Sequence, residues 1–380
     1  MAAYYSYGEA VVEWATRVTK QDVPLRARGK PSMSSDRMLI TGATGMVGSL
    51  TARRAVEAGY QVRALVRPTS RHDWLETLGV EIVEGDLAEL GSLTPAVAGV
   101  DIVVHTAAHV GDWGPAEKYR AANVYALEHL LASVEREGRL RRWVQLSSLG
   151  IYPARHHYGT DETMPADLEG LDGYTRTKAE AEVVLKRHME EHELPAVILR
   201  PGFIYGPGDR HVVPRLIERI TAGTMKLIGD GQKLLNNTYV GNLVDAILLA
   251  TQKDEALGET FNIRDERLVT REEFVGTVAD YLHRPRPGRV PLWLARALVG
   301  PIERIARARG KAEAPMLTRA RIKFLTLNLD FSIAKAKEKL GYRPRVDFRE
   351  GMRRALDWAT KTGGSAGQPD TVGLPPDTVR

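Results

Sequence analysis

"MLITGATGMVGSL", residues 38–50, sets three glycines, Gly42, Gly45 and Gly48, between a short apolar run and the mouth of a helix. Glycines at this spacing let the chain turn tightly and let its backbone approach a pyrophosphate. The phosphate charge then rests on the free N–H groups of the helix N-terminus. A strand before and a helix after are what separate such a loop from an ordinary glycine-rich turn. The stretch therefore predicts a dinucleotide loop, with Gly42, Gly45, Met46, Val47 and Gly48 as cofactor contacts.

The rest of the chain repeats the alternation. Strand-like runs "VRALVR", "VEIVEG", "DIVVHTA", "WVQLSS" and "AVILRP" are interleaved with helical patterns at Gly45–Gly59, His72–Leu78, Ser92–Val97, around Asn123–Glu137 and at Tyr174–His192. Strands separated by helices pair in parallel, so the fold class is α/β, a doubly wound parallel (Rossmann) sheet with a smaller C-terminal substrate-binding lobe. Residues 37–200 read as the NAD(P)-binding domain and 201–362 mainly as the lobe, interleaved with the sheet. Helices are expected there at "NLVDAILLA", "TREEFVGTVADYL", where Thr270 and Glu273 are spaced as a capping box, and "FREGMRRALDWAT". Residues 1–36 read as an extension, and 363–380, rich in Gly, Pro and small polar residues, as a disordered tail.

Charged residues make up 27% of the 380 and hydrophobic ones 43%, ordinary values for a water-soluble globular chain, and no apolar run has the length of a bilayer span. The formal net charge of +5 comes from basic residues intermixed with acidic ones, which argues against nucleic acid as a partner. The first residues lack the basic start and apolar core of a secretory signal, and there is no cysteine, so a cytoplasmic location is expected. No metal site is expected.

Further motifs stand in a set order: "EGDLAE", "HTAA", "AANVYALEHLL", "QLSSLGIY", "YTRTK", "LRPGFIYGPGD" and "NNTYVGNLVDAILLA". Together with the glycine loop they resemble the extended short-chain dehydrogenases/reductases, the NAD-dependent epimerase/dehydratase superfamily, over residues 38–355. The resemblance implies that Asp86 and the adjoining Leu87 lie beside the adenine. It also implies that Ala107 and Ala108 let the cofactor cross the sheet edge and that Asn123 supports the site. Ser148, Tyr174 and Lys178 match the family's catalytic triad, with Tyr174 as acid/base. On a helix Tyr174 and Lys178 share one face, so the ammonium can stabilise a tyrosinate while also holding the nicotinamide ribose. Ser147 rivals Ser148; counting back from Tyr152 favours Ser148.

Members selective for NAD commonly end the second strand with a carboxylate. Here Val66 holds that place and Arg67 follows, so NADP(H) is favoured over NAD(H), an arginine being suited to a 2′-phosphate. Dehydratases of the family carry an acidic pair at and after the serine, where this chain reads "SSLGIY". Epimerases carry an asparagine three residues after the strand arginine, where Phe203 follows Arg200. The chain looks most like the 3β-hydroxysteroid dehydrogenase, sterol-4α-carboxylate 3-dehydrogenase and 2-alkyl-3-oxoalkanoate reductase group. That implies alcohol/ketone interconversion on a small-molecule hydrophobic substrate, with Trp113 and Phe203 as pocket residues. A sugar-nucleotide epimerase and a non-catalytic NADP(H)-sensing protein are the alternatives, and a homodimer is a further implication.

The segment 291–309, "PLWLARALVGPIERIARAR", mixes Leu292, Trp293, Leu294, Leu298, Val299, Ile302 and Ile305 with Arg296, Arg304, Arg307 and Arg309. It reads as a basic amphipathic helix, either a lid over the pocket or a peripheral membrane contact.

Overall fold

The computed structural model describes residues 36–309, 315 and 317–361; the expected extension and tail lie outside the described residues. Seven strands form the main sheet: β1 (Arg37–Thr41), β2 (Gln61–Val66), β3 (Glu81–Glu84), β4 (Ile102–His105), β5 (Arg142–Leu146), β6 (Ala196–Pro201) and β7 (Thr260–Ile263). Their order is β7-β6-β5-β4-β1-β2-β3 and every neighbouring pair is parallel. Chain order reverses between β1 and β4, which opens a crevice at the carboxyl ends of those two strands.

Alternate residues of each strand feed two apolar layers. Met38, Ile40, Val144, Leu146, Val197 and Leu199 share one layer with helices α1 (Met46–Glu57) and α4 (Val240–Gln252). Leu39, Val103, Trp143 and Ile198 enter the other, against α2 (Ala126–Glu137) and α3 (Gly173–Glu191). A sheet buried on both faces needs strands that are apolar nearly throughout, and β5, "RWVQL", is buried at all five positions. Its Arg142 is tolerated because the guanidinium reaches out to Asp254 (2.8 Å) and the Lys253 carbonyl (3.0 Å).

The structure departs from the pattern reading in two places and adds one strand to it. The added strand, β7, comes from beyond residue 200, in keeping with a lobe interleaved with the sheet, and lies beside β6, with Thr260 opposite Ile198. The helix expected near Asn123 is preceded by Ala116–Arg120 and a π-helical turn over Ala121–Tyr125, so Asn123 stands on a local widening of the helix. Thr270 caps its helix by accepting the Glu273 N–H (3.1 Å), but the Glu273 carboxylate pairs with Arg267 and leaves the capping box half made.

Beyond β6 a second core gathers Tyr205, Tyr239, Phe274, Phe348 and Met352 under short paired strands such as Phe203–Tyr205 with Asn237–Tyr239. Asp265, 1% exposed, links this core to the sheet. It accepts from the Tyr239 N–H, Asn242 Nδ2, Asn237 Nδ2 and Tyr205 Oη, all within 2.8–2.9 Å. Burial pushes its carboxyl up to about 6, and the four donors hold it from rising further. No helix among the described residues is long and apolar enough to cross a membrane. Helix α5 (Leu292–Ala308) packs on α6 (Arg319–Thr326) through Ala295, Val299 and Ile322.

Candidate active site

The crevice between β1 and β4 is lined first by the glycine loop. Gly42 has φ +71°, and a Cβ on it would stand 2.8 Å from the Ala107 amide nitrogen; one on Gly48 would stand 2.3 Å from the Gly42 carbonyl oxygen. Only glycine lets α1, the loop and the chain after β4 approach so closely. Gly45 caps α1 without a side chain, and no carboxylate lies in the first turn. The helix itself leaves its first-turn amides unpaired. Met46, Val47 and Gly48 thus present N–H groups to an anion, and the loop fits a dinucleotide pyrophosphate. Arg210, which the motif reading passed over, bonds the Thr44 carbonyl on this loop (3.4 Å) and adds a cation beside it.

Arg67 is exposed just past β2, at the far end of the crevice. Asp86 is half-buried beyond β3, where its Oδ1 accepts the Ala88 N–H (2.9 Å); the neighbouring Leu87 carbonyl contacts His129 Nδ1 (3.0 Å). Ala107 and Ala108 lie half-buried after β4. Asn123, 4% exposed, holds this loop: it accepts the His109 N–H (2.7 Å) and donates to the His109 carbonyl (3.1 Å) and Thr177 Oγ1 (3.0 Å). Both ends of its amide are thereby occupied. Its action on the site runs through the loop and through Thr177, the neighbour of Lys178.

Helix α3 starts at Asp172, whose carboxylate accepts the Thr175 N–H (2.8 Å) while Thr175 Oγ1 accepts the Asp172 N–H (3.1 Å). This cap fixes Tyr174 in the first turn, and Lys178 follows one turn on. The Tyr174 hydroxyl lies near enough to Ser148 for that side chain to favour the tyrosinate, and Ser148 Oγ accepts the Gly150 N–H (3.0 Å). Lys178 Nζ donates to the Leu146 carbonyl at the end of β5 (2.8 Å). Ser148, Tyr174 and Lys178 therefore converge. Ser147 does not join them: its hydroxyl is buried with no partner among the described residues.

The electrostatics differ from the simple expectation of an ammonium steadying a tyrosinate. Burial pushes the Tyr174 phenol up to about 12, with the Ser148 hydrogen bond acting downward and the Asp172 charge upward. The phenol accordingly keeps its proton at neutral pH. Burial brings Lys178 down to about 8, partly countered by Glu182. His105 at the end of β4 is brought down to about 3 by burial and by the Lys178 charge, so it stays neutral, its Nδ1 2.8 Å from Thr41 Oγ1.

Three functional elements escaped the motif reading. Glu182 continues the Tyr174–Lys178 face and makes a bidentate pair with Arg200 (2.9 and 2.6 Å), both side chains 3% exposed. Arg200 Nη1 also donates to Tyr152 Oη (2.7 Å), which donates to Asn262 Oδ1 on β7 (2.8 Å). The i, i+4 step from Lys178 was the available signal for Glu182. The third is a clasp between the segment after β4 and α6: Asp112 pairs bidentately with Arg321 (2.6 and 2.8 Å), a partner 209 residues away that no local pattern reveals. Trp113 stands half-buried beside that clasp, with Tyr119 Oη bonded to its backbone (2.9 Å to the carbonyl). Phe203 packs with Phe274 and Phe324 (ring centroids 5.7 and 6.1 Å). α6 thus meets Trp113's loop through Arg321 and Phe203 through Phe324.

Residues 38–263 match the NAD dependent epimerase/dehydratase family, and the chain belongs to that family. It is 33% identical over 331 residues to the 2-alkyl-3-oxoalkanoate reductase of Stenotrophomonas maltophilia, covering 84% of this chain and 98% of that one. It is 31% identical to a decarboxylating sterol-4-alpha-carboxylate 3-dehydrogenase of Candida albicans, covering 79% and 88%. UDP-glucose 4-epimerase of Thermotoga maritima, solved with UDP-glucose, shares the fold at a TM-score of 0.68 and 22% identity, covering 86% of this chain and 99% of that one. With relatives that are reductases and dehydrogenases, the chain is an NAD(P)-dependent oxidoreductase.

Lys178 should lose its proton near pH 8, which sets an alkaline limit on any activity that needs the ammonium. Glu182→Gln removes the charge that holds that proton, so the alkaline limb of kcat/KM should move about one unit lower. A limb that stays in place while the variant remains folded by circular dichroism shows that Glu182 does not tune Lys178.

Proposed function

We propose that this enzyme interconverts a secondary alcohol and a ketone on a bulky hydrophobic substrate, a 3β-hydroxysteroid or sterol or a long-chain β-hydroxy or β-keto acid. The observation that carries the reading is that Ser148, Tyr174 and Lys178 come together past the carboxyl end of β5, with Lys178 Nζ on the Leu146 carbonyl; Phe203, packed on Phe324, is the proposed apolar wall for the substrate. A phenyl ring there can pack on an apolar skeleton and cannot hydrogen-bond a diphosphate. Names of relatives that act on oxoalkanoates and sterol carboxylates support the same substrate class.

When bound, the nicotinamide cofactor supplies or accepts the hydride. In the reductive direction Tyr174, which keeps its proton, donates it to the substrate oxygen as that oxygen gains charge. Ser148 shares a hydrogen bond with the same oxygen and holds it in line. Lys178 places a positive charge behind the phenol, which eases loss of the phenolic proton. In the oxidative direction the deprotonated Tyr174 takes the hydroxyl proton. Residues 37–200 carry the cofactor and 201–362 chiefly the substrate.

Arg67, exposed and with no carboxylate partner among the described residues, supports NADP(H) as the preferred cofactor. A peripheral membrane contact through 291–309 is supported by one face of α5, on which Trp293 (71% exposed), Leu298 and Ile305 stand with Arg304. The segment's apolar residues are divided, since Val299 packs inward on α6, so only this outer stripe can enter a lipid interface.

Purified protein offered NADPH with 3-oxo acids and 3-ketosteroids, and NADP+ with the alcohols, should turn over one class and give no binding heat with UDP-sugars. Tyr174→Phe should lower turnover by about 10²–10⁴-fold while leaving cofactor affinity intact; unchanged turnover overturns the assignment. Arg67→Ala should weaken NADP+ by about tenfold while sparing NAD+, and equal losses for both remove Arg67 from selectivity. The protein should sediment with anionic vesicles at low salt and be released by salt. Recovery in the supernatant, or sedimentation unaltered by Trp293→Ala with Arg304→Glu, leaves α5 as a lid.

A further inference from the structure

On the side of α6 opposite Phe324, helices α5 and α6 enclose a groove. Its floor is apolar, formed by the part-exposed Leu292 and Leu327 over the buried Val299 and Ile322. Its rim is basic: Lys233, Arg296, Arg319 and Lys323 line it, and no carboxylate does so among the described residues. Of these, Arg319 is paired with Glu303, and cations on the neighbouring surface are neutralised too, Arg286 by Asp280, Arg289 by Glu272 and Arg321 by Asp112. Lys233, Arg296 and Lys323 have no such partner among the described residues. Three unpaired cations beside the part-exposed Leu292 and Leu327 repel each other and leave that apolar surface wet, an arrangement relieved by a ligand that brings both a negative charge and a hydrocarbon.

His156 closes one end of the groove. Its Nδ1 accepts the Asn328 N–H (3.0 Å), which puts the ring proton on Nε2 and makes the imidazole a further donor. Apart from that ring no aromatic side chain lines the groove, so nothing there would stack on a nucleotide base. The exposed Trp293, Leu298 and Ile305 do not line it either, so a bilayer resting on them does not fill the groove.

We propose that this groove is a second binding site, for a single-chain amphiphilic anion. The alkyl chain lies over Leu292 and Leu327, and a carboxylate sits among Lys233, Arg296 and Lys323. The site is distinct from the reaction centre, because none of its lining residues is Ser148, Tyr174 or Lys178, yet it shares α6 with the cleft. Ligand there bears on the helix that carries Phe324 against Phe203 and Arg321 against Asp112.

Calorimetry of the full chain with decanoate, kept below its micelle concentration, should give one site with a dissociation constant on the order of 100 μM. Lys233→Glu with Lys323→Glu should weaken it at least about tenfold, and decanol should bind about tenfold more weakly than decanoate. Tyr174→Phe should bind decanoate as the parent does, even where it abolishes turnover, so this binding does not depend on the proposed reaction. The proposal fails if decanoate gives no heat at millimolar concentration, if decanol or inorganic phosphate binds equally well, or if the double charge reversal has no effect. It also fails if that reversal alters only sedimentation with anionic vesicles, which would make the rim a membrane surface.

Discussion

One buried ion pair organises the ground on which Ser148, Tyr174 and Lys178 meet. Arg200 rises from β6 and grips Glu182 on α3 with both guanidinium arms, and its remaining nitrogen reaches Tyr152, the aromatic that follows the Ser148 turn. A single side chain therefore sets the helix carrying Tyr174 and Lys178 against the strand end carrying Ser148. Stripping water from two charges is costly, and such a pair adds little net stability compared with an apolar replacement. Geometry is what it contributes. A bidentate fork has one orientation, and removing either partner would strand the other charge in the interior at a cost of about 3–5 kcal/mol.

The same pair sets the charge around the base. Tyr174, Lys178 and Glu182 follow one another at single helical turns, so a phenol, an ammonium and a carboxylate lie in line along α3. Asp172 at the cap and burial both favour the protonated phenol, while burial loosens the proton on Lys178. Neutral His105 underneath adds no competing charge. The resting chain thus holds its acid loaded.

Much of the fold was legible because its determinants are local. A glycine loop needs its glycines at fixed offsets, and a sheet covered on both faces needs apolar runs, so "MLITGATGMVGSL", "DIVVHTA" and "WVQLSS" declare themselves. β7 did not, since "TFNI" is short and lies after the alternation has loosened. Tyr174 and Lys178 were visible for the same reason as the loop, their four-residue spacing being a helical contact. The choice of Ser148 over Ser147 depended on a counting argument. Here the turn decides it: Ser148 leaves the strand and meets Tyr174, whereas Ser147 remains buried in the interior.

Segment 291–309 shows the limit of periodicity most clearly. Its residues announce a basic amphipathic helix, and a helix is what forms, but which apolar residues face protein and which face water depends on where α6 lies. By itself the sequence determined the doubly wound sheet, the dinucleotide loop and the Tyr174–Lys178 pair, because each arises from residues within a few turns of one another. Only the tertiary structure decided the Arg200–Glu182–Tyr152 brace, the Asp112–Arg321 clasp and the division of the α5 surface. Those contacts join elements that are distant in the chain, and the energy of an ion pair or an apolar contact is set by distance in space and by burial, neither of which is written in sequence order.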